Sequence, residues 1–94
     1  MPYIAAMSYQ SRIETNLAVL SPETLEVIDE SHRHHGHAGW KEGGETHFRV
    51  RIVAEAFRGQ SRLARHRLIN DLLAKELAER IHALAIEARA PGEA

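Results

Sequence analysis

The stretch that most constrains the fold runs from Thr46 to Glu87, because its hydrophobic period changes twice. Up to Glu55, Phe48, Val50, Ile52 and Ala54 alternate with His47, Arg49 and Arg51, the period of a strand with one buried and one wetted face. After a turn at Phe57-Arg58-Gly59-Gln60, Leu68, Ile69, Leu72, Leu73 and Leu77 recur at helical spacing. That predicts a long helix from a Ser61 cap to about Arg80. Ile81 to Glu87 is short and apolar; as a helical extension it would give about twenty-seven residues of helix, long for this chain, so it reads as a strand. Strand, helix and strand in succession form a crossover unit whose two strands run parallel and start at the same edge of the sheet.

Upstream, Tyr9, Ile13, Leu17 and Leu20 mark a first amphipathic helix, with Ser8 as its cap and Ser21-Pro22 as its stop. Leu25 to Ser31 reads as a strand. Between it and Thr46 lies His32 to Gly44, holding four of the seven histidines, four of the six glycines and the single Trp. The two strands are most simply an antiparallel hairpin, although a loop of about thirteen residues exceeds the usual 2–5. The order helix, strand, strand, helix, strand implies an α+β fold: a three-stranded mixed sheet with helices on one face. One domain is expected, with an ordered core over about residues 9–88 and loosely held ends. A chain of this size buries only about 60–65% of its unfolded surface, enough for one helical layer on one sheet.

Composition narrows the chemistry. The formal charge is -1 with neutral histidines, so no global field favours nucleic acid or a membrane surface. Seven histidines make the protein cationic in mild acid. There is no cysteine, which removes disulfides, thiol catalysis and thiolate ligation from within the chain. No apolar run reaches the ~20 residues of a membrane span, and a cytoplasmic protein is the expectation. No His-Glu-x-x-His pattern and no nucleophile–base pair is visible, so an enzyme is not expected.

Two groups of residues stand out. His82, second in the expected third strand, shares parity with Leu84 and Ile86 and is brought by the crossover toward the histidine loop. Taken locally it reads as a packed histidine bonded to a carbonyl. Beside a loop carrying His32, His34, His35 and His37 it reads as a metal ligand, since neutral imidazole binds zinc, copper and iron. Spacing does not choose among the loop histidines. Two imidazoles leave a site incomplete, so further ligands must come from the loop, a carboxylate or another molecule. The second group is Arg58, Arg62, Arg65, His66 and Arg67 near the start of the long helix, where phosphates are attracted. Its plainer reading is a solvated surface paired with Glu23, Glu26 or Glu30, with His66 packed. Gly36-His37-Ala38-Gly39 fits the GXXG clamp of KH domains, but it falls between strands. At the corresponding helical turn the chain has Gly59-Gln60-Ser61-Arg62.

From about Ser11 to Pro91 the chain resembles the BolA family. The resemblance is carried by Leu20-Ser21-Pro22, Leu25-Glu26-Val27, Asp29-Glu30-Ser31 and Gly36-His37-Ala38, followed by Glu45-Thr46-His47-Phe48-Arg49-Val50. Phe57-Arg58-Gly59, Arg65-His66-Arg67-Leu68 and Ile81-His82-Ala83-Leu84-Ala85-Ile86 complete it. It implies a class II KH-like fold and two functions. In one, the protein pairs with a monothiol glutaredoxin and shares a bridging two-iron, two-sulfur (2Fe-2S) cluster; the glutaredoxin cysteine and glutathione supply sulfur ligands. The histidine matching His82 and a loop residue, best matched by His37 with His34 and His35 as alternatives, complete the set. In the other, the protein is a DNA-binding regulator of morphology and stress genes, using Arg58, Arg62, Arg65 and Arg67. Alone, it is expected to be a monomer or weak homodimer.

Overall fold

The computed structural model describes residues 8–34 and 44–93, the side chains of 33 and 34 excepted. Helix α1 spans Tyr9–Leu17; the Ser8 hydroxyl accepts a hydrogen bond from the Ser11 amide at its start. A 3-10 turn, Ala18–Leu20, comes next, and Ser21 ends it in the left-handed region at φ 49° ahead of Pro22. Strand β1 is Thr24–Asp29 and β2 is His47–Val53. Helix α2 is Arg62–Leu72, α3 is Ala74–Glu79 and β3 is Ala83–Arg89.

The sheet order is β1-β2-β3. β1 runs antiparallel to β2 with Val27 opposite Val50, and β2 runs parallel to β3 with Val50 opposite Ile86 and His47 opposite Ala83. The crossover expected from the sequence is therefore present. Phe48, Val50, Ile52 and Ala54 are buried with Ile13, Leu17, Ile69 and Leu73, and Leu84, Ile86 and Ala88 pack against them. Each such large side chain stabilises the fold by about 1.5–3 kcal/mol relative to exposure.

The opposite face is open and charged. Arg49 bonds to Glu30 at 3.0 Å and to Glu87 at 3.2 Å; Arg51 bonds to Glu87 at 3.2 Å and to Glu26 at 3.3 Å. Hydrogen bonding from Arg51 is the largest influence holding the Glu87 carboxyl below its ordinary range.

Two expectations are corrected. The long helix is two helices: Leu73 departs from helical geometry at φ -108° and ψ 15°. The Asn16 amide side chain donates to the Leu72 carbonyl at this break and to Glu76 Oε1. Glu76 lies in the first turn of α3 and is 3% exposed; Arg12 of α1 meets it at 2.8 Å. Nor does the tail loosen from Ala88. β3 continues to Arg89, Ala90 is buried, and Glu93 is held by Arg65. Among the described residues no helix is long and apolar enough to cross a membrane.

Candidate functional site

The end of β1, the start of β2 and the start of β3 meet at one edge of the sheet, and hydrogen bonds fasten them there. Asp29 Oδ1 accepts from the Ser31 amide at 2.8 Å and from its hydroxyl at 2.5 Å, while Oδ2 accepts from the Glu45 amide at 3.2 Å. Ser31 Oγ, 2% exposed as a residue, accepts from the amides of Thr46 at 2.9 Å and His47 at 3.2 Å. Gly44 and Glu45 are consecutive left-handed residues, at φ 74° and 59°. That conformation costs a non-glycine residue about 1–2 kcal/mol. Glu45 is held in it by Asp29 and by its own carboxylate, which accepts from the Gln10 amide in the first turn of α1, a favourable place for negative charge.

His82 lies one residue before β3. Its amide donates to the Thr46 carbonyl at 2.7 Å and its side chain is exposed. The ring centroid is 6.0 Å from that of His47, the planes tilted by 43°. His47 is 6% exposed, and its Nδ1 shares a 2.9 Å hydrogen bond with Thr46 Oγ1. Sequence reasoning sets His47 on the basic strand face and overlooks it as a neighbour of His82. The parallel register, His47 opposite Ala83, is the signal that links them. His37 and His35 lie outside the described residues, as does the side chain of His34; the backbone of His34 ends a 3-10 turn, Ser31–His34.

Among the described residues no group of three or more His, Cys, Asp or Glu is placed to hold a metal ion. Beside the Asp29 and Glu45 carboxylates, which already accept hydrogen bonds, the edge presents the imidazole of exposed His82 on a backbone tied to Thr46. Imidazole is a ligand type for zinc, copper, iron and nickel.

The arginine cluster is divided. Arg65 makes a two-point pair with Glu93 at 2.6 and 2.9 Å and also donates to the Gln60 and Ala88 carbonyls. Arg58 pairs with Glu55 and donates to the Pro91 carbonyl at 2.9 Å. The partners are thus Glu55 and Glu93 rather than Glu23, Glu26 or Glu30, because Glu26 and Glu30 point to the open sheet face and meet Arg51 and Arg49. Arg62 and Arg67 are exposed. Half-buried His66 lines a cleft of about 430 Å³ with Gln60, Arg62, Arg65, Arg89 and Glu93. Hydrogen bonding from Arg65 and the Ala90 amide pulls the Glu93 carboxyl down to about 2.

Comparison with known proteins decides the family. The profile described as BolA-like protein matches residues 17–93. The chain belongs to the BolA family. It is 57% identical over 89 residues to an uncharacterized protein from a Sinorhizobium species, covering 93% of this chain and 96% of that one. It is 46% identical to the DNA-binding transcriptional regulator BolA of Escherichia coli over 85% of this chain and 73% of the regulator. Of the SufE-like protein 1 of Arabidopsis thaliana it spans 21%, at 51% identity over 79% of its own length. The solved BolA domain of SufE1 from that plant superposes with a TM-score of 0.84 at 48% identity, covering 94% of this chain and 98% of the domain. BolA folds therefore occur both alone and within a larger chain.

Proposed function

We propose that this BolA-family protein is a non-enzymatic cytoplasmic adaptor that pairs with a monothiol glutaredoxin and shares a bridging 2Fe-2S cluster, in iron–sulfur trafficking or iron homeostasis. The observation that carries this reading is the exposed ring of His82 on a backbone hydrogen-bonded to Thr46, at the edge where the histidine loop begins and ends. His82 supplies one imidazole and His37 the second, with His34 and His35 as alternatives. The partner's cysteine and glutathione supply thiolates, which a chain without cysteine cannot. When bound, a cluster with two imidazoles on one iron has a higher potential than an all-cysteine cluster. The presence of a BolA domain within a SufE-like protein is consistent with this setting.

The test is to mix the chain with a monothiol glutaredoxin, glutathione, iron and sulfide, and to record visible absorption and circular dichroism. A heterodimer spectrum distinct from that of the glutaredoxin alone is expected, and His82→Ala should abolish the distinction. An unchanged spectrum in that variant would refute the ligand assignment.

A second reading, a DNA-binding regulator, is favoured by the name of the Escherichia coli relative and by exposed Arg62 and Arg67. Against it, Arg58 and Arg65 already hold carboxylates of the same chain. Binding through phosphates would weaken linearly in log–log with salt. Equal affinity for promoter and scrambled DNA at physiological salt would eliminate this reading.

A further inference from the structure

Arg80 comes directly after α3 and stands two residues before His82. Its Nε and Nη2 both donate to the Gly44 carbonyl, at 3.0 and 2.7 Å. A basic residue at a helix end commonly serves the last carbonyls of its own helix. These two bonds instead cross to the return stem of the histidine loop, next to left-handed Glu45.

The consequence concerns His82. Pairing between β2 and β3 starts at Ala83 opposite His47. Upstream of that pair the amides of His82 and Ala83 share one acceptor, the Thr46 carbonyl, at 2.7 and 3.2 Å. A strand end held through one carbonyl is where a sheet frays. Ile81, 3% exposed, anchors one side chain in the core. Arg80 adds a two-point tie one residue earlier, so the backbone leading into His82 is anchored before the Thr46 carbonyl takes its amide, while the residue stays exposed.

We propose that Arg80 is the positioning residue for His82: its guanidinium bond to Gly44 fixes the turn that presents the His82 ring at the site edge. The proposal rests on the reading of His82 as a cluster ligand. It predicts a role that neither motif spacing nor helix capping would assign to Arg80.

Two variants, each followed by NMR and by cluster release, test it. Arg80→Met removes the whole guanidinium, including both donors to Gly44, at similar length, and Arg80→Lys offers a single donor atom. In the isolated chain, NMR would follow amide hydrogen exchange at His82 and Ala83 and the cross-relaxation between the His47 and His82 rings. In the reconstituted glutaredoxin heterodimer, loss of cluster colour to a chelator would be timed. Arg80→Met is expected to keep the far-ultraviolet signature of the fold, to exchange His82 about tenfold faster, and to release the cluster about 10–100-fold faster, the usual effect of losing a residue that orients a metal ligand. Arg80→Lys should fall between. A folded Arg80→Met that matches the wild type in both readouts overturns the proposal. Should Arg80→Met fail to fold, Arg80→Lys decides: intermediate exchange supports the two-point tie and wild-type exchange overturns it. If the wild type forms no cluster, the function proposed above fails, and the NMR arm still reads whether Arg80 holds His82.

Discussion

Glu93 shows how a single side chain near the end of the described chain becomes structural. Its two carboxylate oxygens meet Arg65, and Oε1 also accepts from the Ala90 amide at 2.8 Å. Those bonds favour the ionised form, which lowers the folded-state pKa to about 2, against about 4.3 for an unperturbed glutamate. A depressed carboxylate pKa contributes stability that is fully present above the unfolded value and is lost as pH falls through the folded one. Glu93→Gln should therefore be less stable than the wild type by a constant margin from about pH 5 to 8. The margin should shrink between about pH 4.3 and pH 2. Urea denaturation midpoints of the two proteins across that range provide the measurement. The residue scale is also where sequence reading falls short: it offers Glu23, Glu26 or Glu30 to the arginine cluster, and nothing in the spacing points from Arg65 to a glutamate 28 residues later. The tail reads as frayed because Ala90 and Glu93 carry no period; contacts supplied by the folded sheet and α2 hold them.

At the scale of elements, the α2–α3 break is where the structure departs most from the sequence pattern. Had the helix continued, Glu76 would have been one polar position among apolar ones, and the leucine stripe alone supports that reading. In the structure Glu76 is buried beside Arg12, with Asn16 donating to its Oε1 at 2.9 Å. Glu79 also accepts from Arg12 at 2.8 Å, yet its side chain is 37% exposed against 5% for Glu76. Removing a buried acceptor leaves its donors unsatisfied, whereas exposed pairs contribute little. Glu76→Ala should thus destabilise the protein by about 1–3 kcal/mol, and Glu79→Ala by much less. Chemical denaturation of both variants separates the two cases, and equal effects would mean that the α1–α3 network is not the source. The strands are legible for the opposite reason. Alternation at Phe48, Val50, Ile52 and Ala54 reports burial directly, and all four are buried in the structure; His47, expected on the wetted face, is the exception at 6% exposed.

For the whole molecule, topology does what no local motif does: it places the beginnings of β2 and β3 at one edge. A strand–helix–strand crossover alone predicts that His82 lies level with the start of β2, and the His82 amide on the Thr46 carbonyl agrees. Its other neighbour, His47, stays hidden in the sequence because parity puts it on the solvent face, where Arg49 and Arg51 draw attention to charge. Register, which needs the pairing of two strands, brings the rings to a centroid distance of 6.0 Å.

The central claim is that imidazole from this chain binds the shared cluster, and nitrogen-15 reports it without any mutation. The chain would be labelled with ¹⁵N-histidine, paired with unlabelled monothiol glutaredoxin and glutathione, and its cluster reduced for pulsed electron paramagnetic resonance. Strong ¹⁵N hyperfine coupling is predicted, diminished in a His82→Ala heterodimer that still holds iron and sulfide. A reduced cluster with no ¹⁵N coupling in the labelled wild-type pair would contradict the account.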